Sequence, residues 1–157
     1  YHNQQHIFMT TIILLSLAGA VISAVIGTFW YSDKTPMGRI HMRYLGMDKL
    51  TPEQKQAEIE KAKPTMPKVY GAQFVLSALT SFAVAFIMVM SIRNGVSIWV
   101  ALGFVAMNWL CFIVPTIGSS ILWGNCDRAI AWKKFFSEIA CNLVTLMLVG
   151  LLASLFA

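Results

Sequence analysis

The chain has 157 residues, 57% of them hydrophobic and 12% charged, about half the charged share of an ordinary soluble domain. That balance excludes intrinsic disorder, a secreted disulfide scaffold and a soluble globular fold. The net charge of +5 does not signal nucleic acid, because the cations fall between apolar segments rather than forming a patch, and no nucleic-acid partner is expected.

Four apolar segments, 7–30, 70–92, 96–123 and 135–157, contain one charged residue between them, Glu138. Each is longer than the roughly 20 residues a helix needs to cross a hydrocarbon core about 30 Å thick. The expected fold is therefore all-α: an integral membrane four-helix bundle, a single membrane domain over 1–157, with a long basic inner loop at 31–69 carrying short helices. The first segment exceeds the roughly 7–15-residue core of a signal peptide, and residues 1–6 lack Lys and Arg, so it is expected to remain as a span.

His2 and His6 stand four apart, a spacing that suits metal ligands on one helix face. At a terminus expected to fray no metal site is assigned, and with no histidine deep in any span no haem or other cofactor is expected. Along the first span Gly19, Ser23 and Gly27 recur every fourth residue. Small residues at that spacing let helices approach closely, either inside the bundle or against another protein. The span ends at Trp30 and Tyr31, aromatic anchors for a membrane boundary.

Within the loop, residues 37–47 mix basic and large apolar side chains at helical spacing. An interfacial helix is expected there, with Arg39 and Arg43 toward anionic lipid headgroups and Ile40, Met42 and Leu45 dipping inward. A second helix, about 52–63, is announced by Thr51 as N-cap, Pro52 at the first position and Gln54 at the capping-box position. Its composition is polar, and Pro64 and Pro67 are expected to end it.

The second span carries Gln73, Ser77, Thr80 and Ser81 on one face, the third Asn108, Pro115 and Ser119, and the fourth Glu138, Asn142 and Thr145. If these stripes converge, Gln73, Asn108, Pro115, Glu138 and Asn142 make a polar seam, serving interhelical hydrogen bonds or lining a solute path. A carboxylate at the bilayer centre costs at least about 2.5–3.5 kcal/mol and is a functional candidate by default. Glu138, however, follows Lys134 by one turn near the positive end of its helix, where a carboxylate can remain hydrated and interfacial structure is the favoured explanation over proton or solute handling. Pro115 is expected to kink the third span or free a carbonyl. Cys111, Cys126 and Cys141 show no metal-site or disulfide spacing and read as free thiols.

Eleven of the twelve Lys and Arg residues lie in the connections 31–69 and 124–134, and only Arg93 lies on the other side. The positive-inside rule then puts both termini outside and the two basic loops inside, in a bacterial plasma membrane or an organelle inner membrane. Neither a phosphate loop, a nucleophile elbow nor a carboxylate pair is present, so no enzyme is expected.

The run Gly27-Thr28-Phe29-Trp30-Tyr31-Ser32, then Met37-Gly38 and Leu45-Gly46-Met47, resembles the small membrane proteins of the domain of unknown function 1761 family. The resemblance continues through Thr51-Pro52-Glu53, Pro67-Lys68-Val69-Tyr70, Gly103-Phe104-Val105, Pro115 and Trp132-Lys133-Lys134. It implies a four-span helical protein and no assigned activity, with Trp30, Tyr31 and Ser32 as motif residues. Small size, short loops and the small-residue face suggest a structural or accessory subunit bound to other membrane subunits and lipid. The polar seam suggests, as the alternative, a small solute or ion carrier acting as a homo-oligomer.

Overall fold

The computed structural model describes residues 2–124 and 126–157, without the side chains of 2–5 and 122. The His2 side chain, half of the histidine pair noted above, lies outside the described residues. Among the described residues every regular element is helical: α1 (His2–Trp30), α2 (Pro36–Tyr44), a 3-10 turn (Met47–Lys49), α3 (Pro52–Ala62) and α4 (Met66–Arg93). They are followed by α5 (Ile98–Asn108), a π-helical turn (Trp109–Ile113), α6 (Val114–Leu122) and α7 (Arg128–Ser154). Four stretches are long and apolar enough to cross a membrane: His6–Trp30, Met66–Arg93, Ile98–Ile121 and Arg128–Ser154. The chain is a multi-pass α-helical membrane protein.

Local chemistry sets the boundaries. Thr51 and Gln54 form the reciprocal capping box, with Thr51 N–H donating to Gln54 Oε1 at 2.9 Å and Gln54 N–H to Thr51 Oγ1 at 3.3 Å. Thr35 caps α2 by accepting Gly38 N–H at 2.9 Å. Pro67 opens α4 instead of merely closing α3, because a proline in the first turn forfeits no helical hydrogen bond.

The fourth span starts earlier than hydropathy indicates. Asp127 accepts the N–H groups of Ala129 and Ile130 at 3.0 and 3.2 Å, which fixes the helix start at Arg128, seven residues before position 135. Lys133 and Lys134, counted above as loop cations, are therefore helical, and Lys134 is buried.

The third span is interrupted by its proline. Pro115 has no N–H to offer the carbonyl four residues back, and its ring crowds that carbonyl. The backbone answers by widening one turn, so that Val114 N–H reaches Trp109 O instead.

α1 and α7 run antiparallel, with Gly19 beside Val149 and Trp30 beside Ser137, so both chain termini lie at one end of the bundle. The apolar core lies toward that end, where Ile12, Met88, Val89, Val105 and Val149 are fully buried. At the other end, the loop end, α2 lies across the bundle and packs on α7. There the second span has little cover, and every residue of α4 from 67 to 76 is exposed.

Candidate functional site: a charged cluster at the loop end

The Trp30-Tyr31-Ser32 motif forms the corner between α1 and α2. Thr35 Oγ1 lies 2.8 Å from the carbonyl oxygens of both Trp30 and Ser32, which pulls the start of α2 back over the end of α1. Ser32 Oγ accepts Lys34 N–H at 3.4 Å, a weak turn contact, and the cap itself is Thr35. Gly38 is what lets the corner close, since a Cβ there would overlap the carbonyl of Ser32.

This corner holds the motif side chains against α7. Trp30 donates its indole N–H to Ser137 Oγ at 3.1 Å. Lys134 Nζ sits 4.7 Å from the centre of the Tyr31 ring and 3.0 Å from Glu138 Oε2. The Lys134 side chain is only 7% exposed, whereas Glu138 keeps 30% of its side chain open. The ammonium is thus sheathed by a ring and a carboxylate, and the carboxylate reaches the surface. Tyr31 also lies within hydrogen-bonding reach of the Cys141 thiol and stacks obliquely on His41, ring centres 5.0 Å apart.

Five titratable side chains, from α1–α2 and α7, therefore meet in one place: Tyr31, His41, Lys134, Glu138 and Cys141. Burial, and after it the Glu138 carboxylate, pushes the Tyr31 phenol well above its ordinary value, so it stays a neutral donor at physiological pH. Burial also holds His41 below the usual imidazole range, helped by the Lys134 ammonium and opposed by Glu138. The Nδ1 of His41 is buried and has no hydrogen-bond partner among the described residues. Chemically the cluster can hold a proton or a charge, but its members already satisfy one another except at that nitrogen.

The structure distributes the remaining sequence candidates differently. Gly19 is tightly enclosed, where a Cβ would overlap Ser81 of α4 and press on Val149 of α7; nearby, Ser16 Oγ donates to Ala78 O at 2.6 Å. Ser23 bonds back to Gly19 O within α1, and nothing lies within 4 Å of a Cβ at Gly27. The small-residue face is therefore consumed inside the bundle only at its termini-end half.

The polar stripes do not meet in an interior seam. Asn108 donates to Phe104 O and Asn142 to Glu138 O, each within its own helix, and Gln73 reaches only Ser77 at 3.5 Å. Gln73, Asn108 and Pro115 are exposed, while Asn142 is half-buried. Thr80 and Asn108 line one groove of about 280 Å³ between α4 and the third span. The reason is general: helical spacing shows that residues share a face, not which way that face turns. Arg39 and Arg43, one turn apart on α2, are exposed.

Lys134, Ser137, His41 and Gly38 are members of the site to which the sequence alone attached no role. An i, i+4 Lys–Glu pair opening a span was the available signal for the first. The three thiols are free, Cys111 exposed and Cys141 buried, and no group of three metal-ligating side chains occurs among the described residues.

No curated protein and no solved structure matches the chain. A family model described as "Protein of unknown function (DUF1761)" matches residues 14–154, which takes in the first span from Leu14 onward, the other three spans whole, the loop-end corner and the charged cluster, and the chain belongs to that family.

Proposed function

We propose that the chain is a non-enzymatic accessory subunit that seats a transmembrane helix of a partner protein along the uncovered half of α4. The observation that supports this is the stripe Gln73, Ser77 and Thr80, spaced four and three residues apart on α4 and continued by Asn108 across the groove. The stripe starts in the exposed stretch of α4, from 67 to 76. Asn108 lies ten residues into its span, about 15 Å deep, where an amide with hydrogen-bonding capacity to spare favours another helix over lipid. The five titratable groups of the loop-end cluster bind one another, which suits a structural role better than catalysis.

Extraction from the native membrane in mild detergent, followed by native sizing and mass spectrometry, tests this reading. Comigration with a fixed ratio of a second protein, lost in Gln73→Leu/Thr80→Val, is expected. A monomer, or a complex indifferent to those substitutions, removes it. The excess of basic residues in the loops supports termini outside and loops inside, which thiol labelling of Cys126 from each side of sealed vesicles checks.

A second reading, a small solute or ion carrier working as a homo-oligomer, draws on the partly open Glu138 of the ion pair. Unchanged flux and growth in Glu138→Gln would count decisively against it.

A further inference from the structure

We propose that His41 is an acid-sensitive latch: neutral, it lets α2 lie against α7, and protonated, it loosens α2 from the bundle while the four spans stay packed. Three observations meet at this one ring. Its Nδ1 is enclosed and has no hydrogen-bond partner among the described residues. Its face rests on Tyr31, with ring centres 5.0 Å apart. The same Tyr31 ring holds the Lys134 ammonium of α7, 4.7 Å from its centre. A neutral imidazole carries one N–H and can leave Nδ1 bare, so the enclosed atom forfeits only an acceptor bond. An imidazolium carries an N–H on both nitrogens, and protonation then puts a charged donor where nothing accepts it.

The charges around the ring do not offset that cost. Glu138 is engaged by Lys134 at 3.0 Å and is partly open to water, whereas the ammonium is buried and poorly screened. Cys141 completes the cluster from α7 as a buried thiol within reach of Tyr31. Arg39 and Arg43 on α2, Asp48 and Lys49 of the turn after it, and Asp127 and Arg128 at the start of α7 are all exposed, where water and salt screen them. Movement of α2 is easy by comparison. Its first turn is anchored by the Thr35 cap and by Gly38 against the Ser32 carbonyl. Its far end is held lightly, with the Cys126 thiol 3.9 Å from the Tyr44 carbonyl. Beyond it Gly46 turns the chain at a φ of 71°, and α3 buries none of its residues. A lift of α2 about the corner therefore breaks its packing on α7 and drags no span with it.

The latch rests on the loop-end cluster alone and holds whichever partner α4 receives. Amide hydrogen exchange of the full chain in mild detergent, read peptide by peptide at pH 7.5 and 5.5 and corrected for the pH dependence of the chemical rate, tests it. Protection of α2 should fall at the lower pH, by at most about tenfold, because a released imidazole takes up its proton near the ordinary value of about 6.5. Protection of the buried stretches of α1 and α7 toward the chain termini should not change. His41→Phe keeps a ring against Tyr31 and cannot titrate, so its α2 should be equally protected at both pH values. His41→Gln should show the same indifference to pH, even at a lower overall protection. Equal protection of α2 at both pH values in the unaltered chain, a fall that spreads alike over every span, or an undiminished fall in the His41 variants overturns the proposal. The first two of these outcomes need no variant, so they stand even if neither substitution folds.

Discussion

The two ends of this bundle are closed by different physics. Where the chain termini lie, Ile12, Met88, Val89, Val105 and Val149 fill the space between four helices with no polar atom among their side chains. At the loop end α1 and α2 are held to α7 by an indole bond to Ser137 and a cation over a ring, beside an ion pair within α7 and a backbone corner that only glycine permits. Dispersion packing has no stake in protonation, whereas a cluster of charges does. The first end supplies stability; the second can respond to its surroundings.

The largest expected effect tests that division directly. Glu138→Gln leaves the buried Lys134 ammonium without its carboxylate, a cost of about 3 kcal/mol even with part of the pair open to water. Lys134→Met/Glu138→Gln removes both charges and should recover most of the loss. Met88→Ala at the other end costs a similar amount, about 3 kcal/mol, by opening a cavity. The two are told apart by thermal unfolding in detergent, where the Glu138 loss should be recovered by Lys134→Met and the Met88 loss should not. An unrecovered double variant would show that the pair itself is not what Glu138 is needed for.

Next in size is the corner. Gly38→Ala places a methyl group against the Ser32 carbonyl, and backbone cannot swing aside as a side chain can, so a loss of about 2–3 kcal/mol is expected. Gly27→Ala, with open space around its Cβ, should be neutral or slightly stabilising. Melting temperatures of the two variants decide it. Equal values would mean that α2 does not need to lie as close to Ser32 as it does here.

Much of this architecture is legible in the sequence, for physical reasons that also mark where legibility stops. Apolar runs report spans because lipid imposes a length, and Thr51 with Gln54 reports a helix start because capping is a contact over three residues. The start of α7 was misplaced because residues 128–134 are too polar for a hydropathy window, although Asp127 carried the local signal. The burial of Lys134 was not legible at all: its sheath, Tyr31, lies 103 positions away along the chain. The polar stripes were seen, but their direction depends on how α4 leans from the bundle, and no local pattern encodes that.

The smallest effect belongs to His41 and discriminates best between the two ends. Its imidazole faces Tyr31, with Lys134 and Glu138 of α7 as the nearby charges, and in the folded chain it binds its proton less readily than the ordinary value near 6.5. The unfolded chain therefore takes up the extra proton first as pH falls. Stability contributed by the neutral imidazole is complete above about pH 6.5 and declines below it, by no more than about 1.4 kcal/mol per pH unit. His41→Phe keeps the ring against Tyr31 and removes the titration, so its melting temperature should fall less between pH 7.5 and 5.5. If the unaltered chain and His41→Phe fall equally, the acid sensitivity of the loop end does not reside in the His41 imidazole.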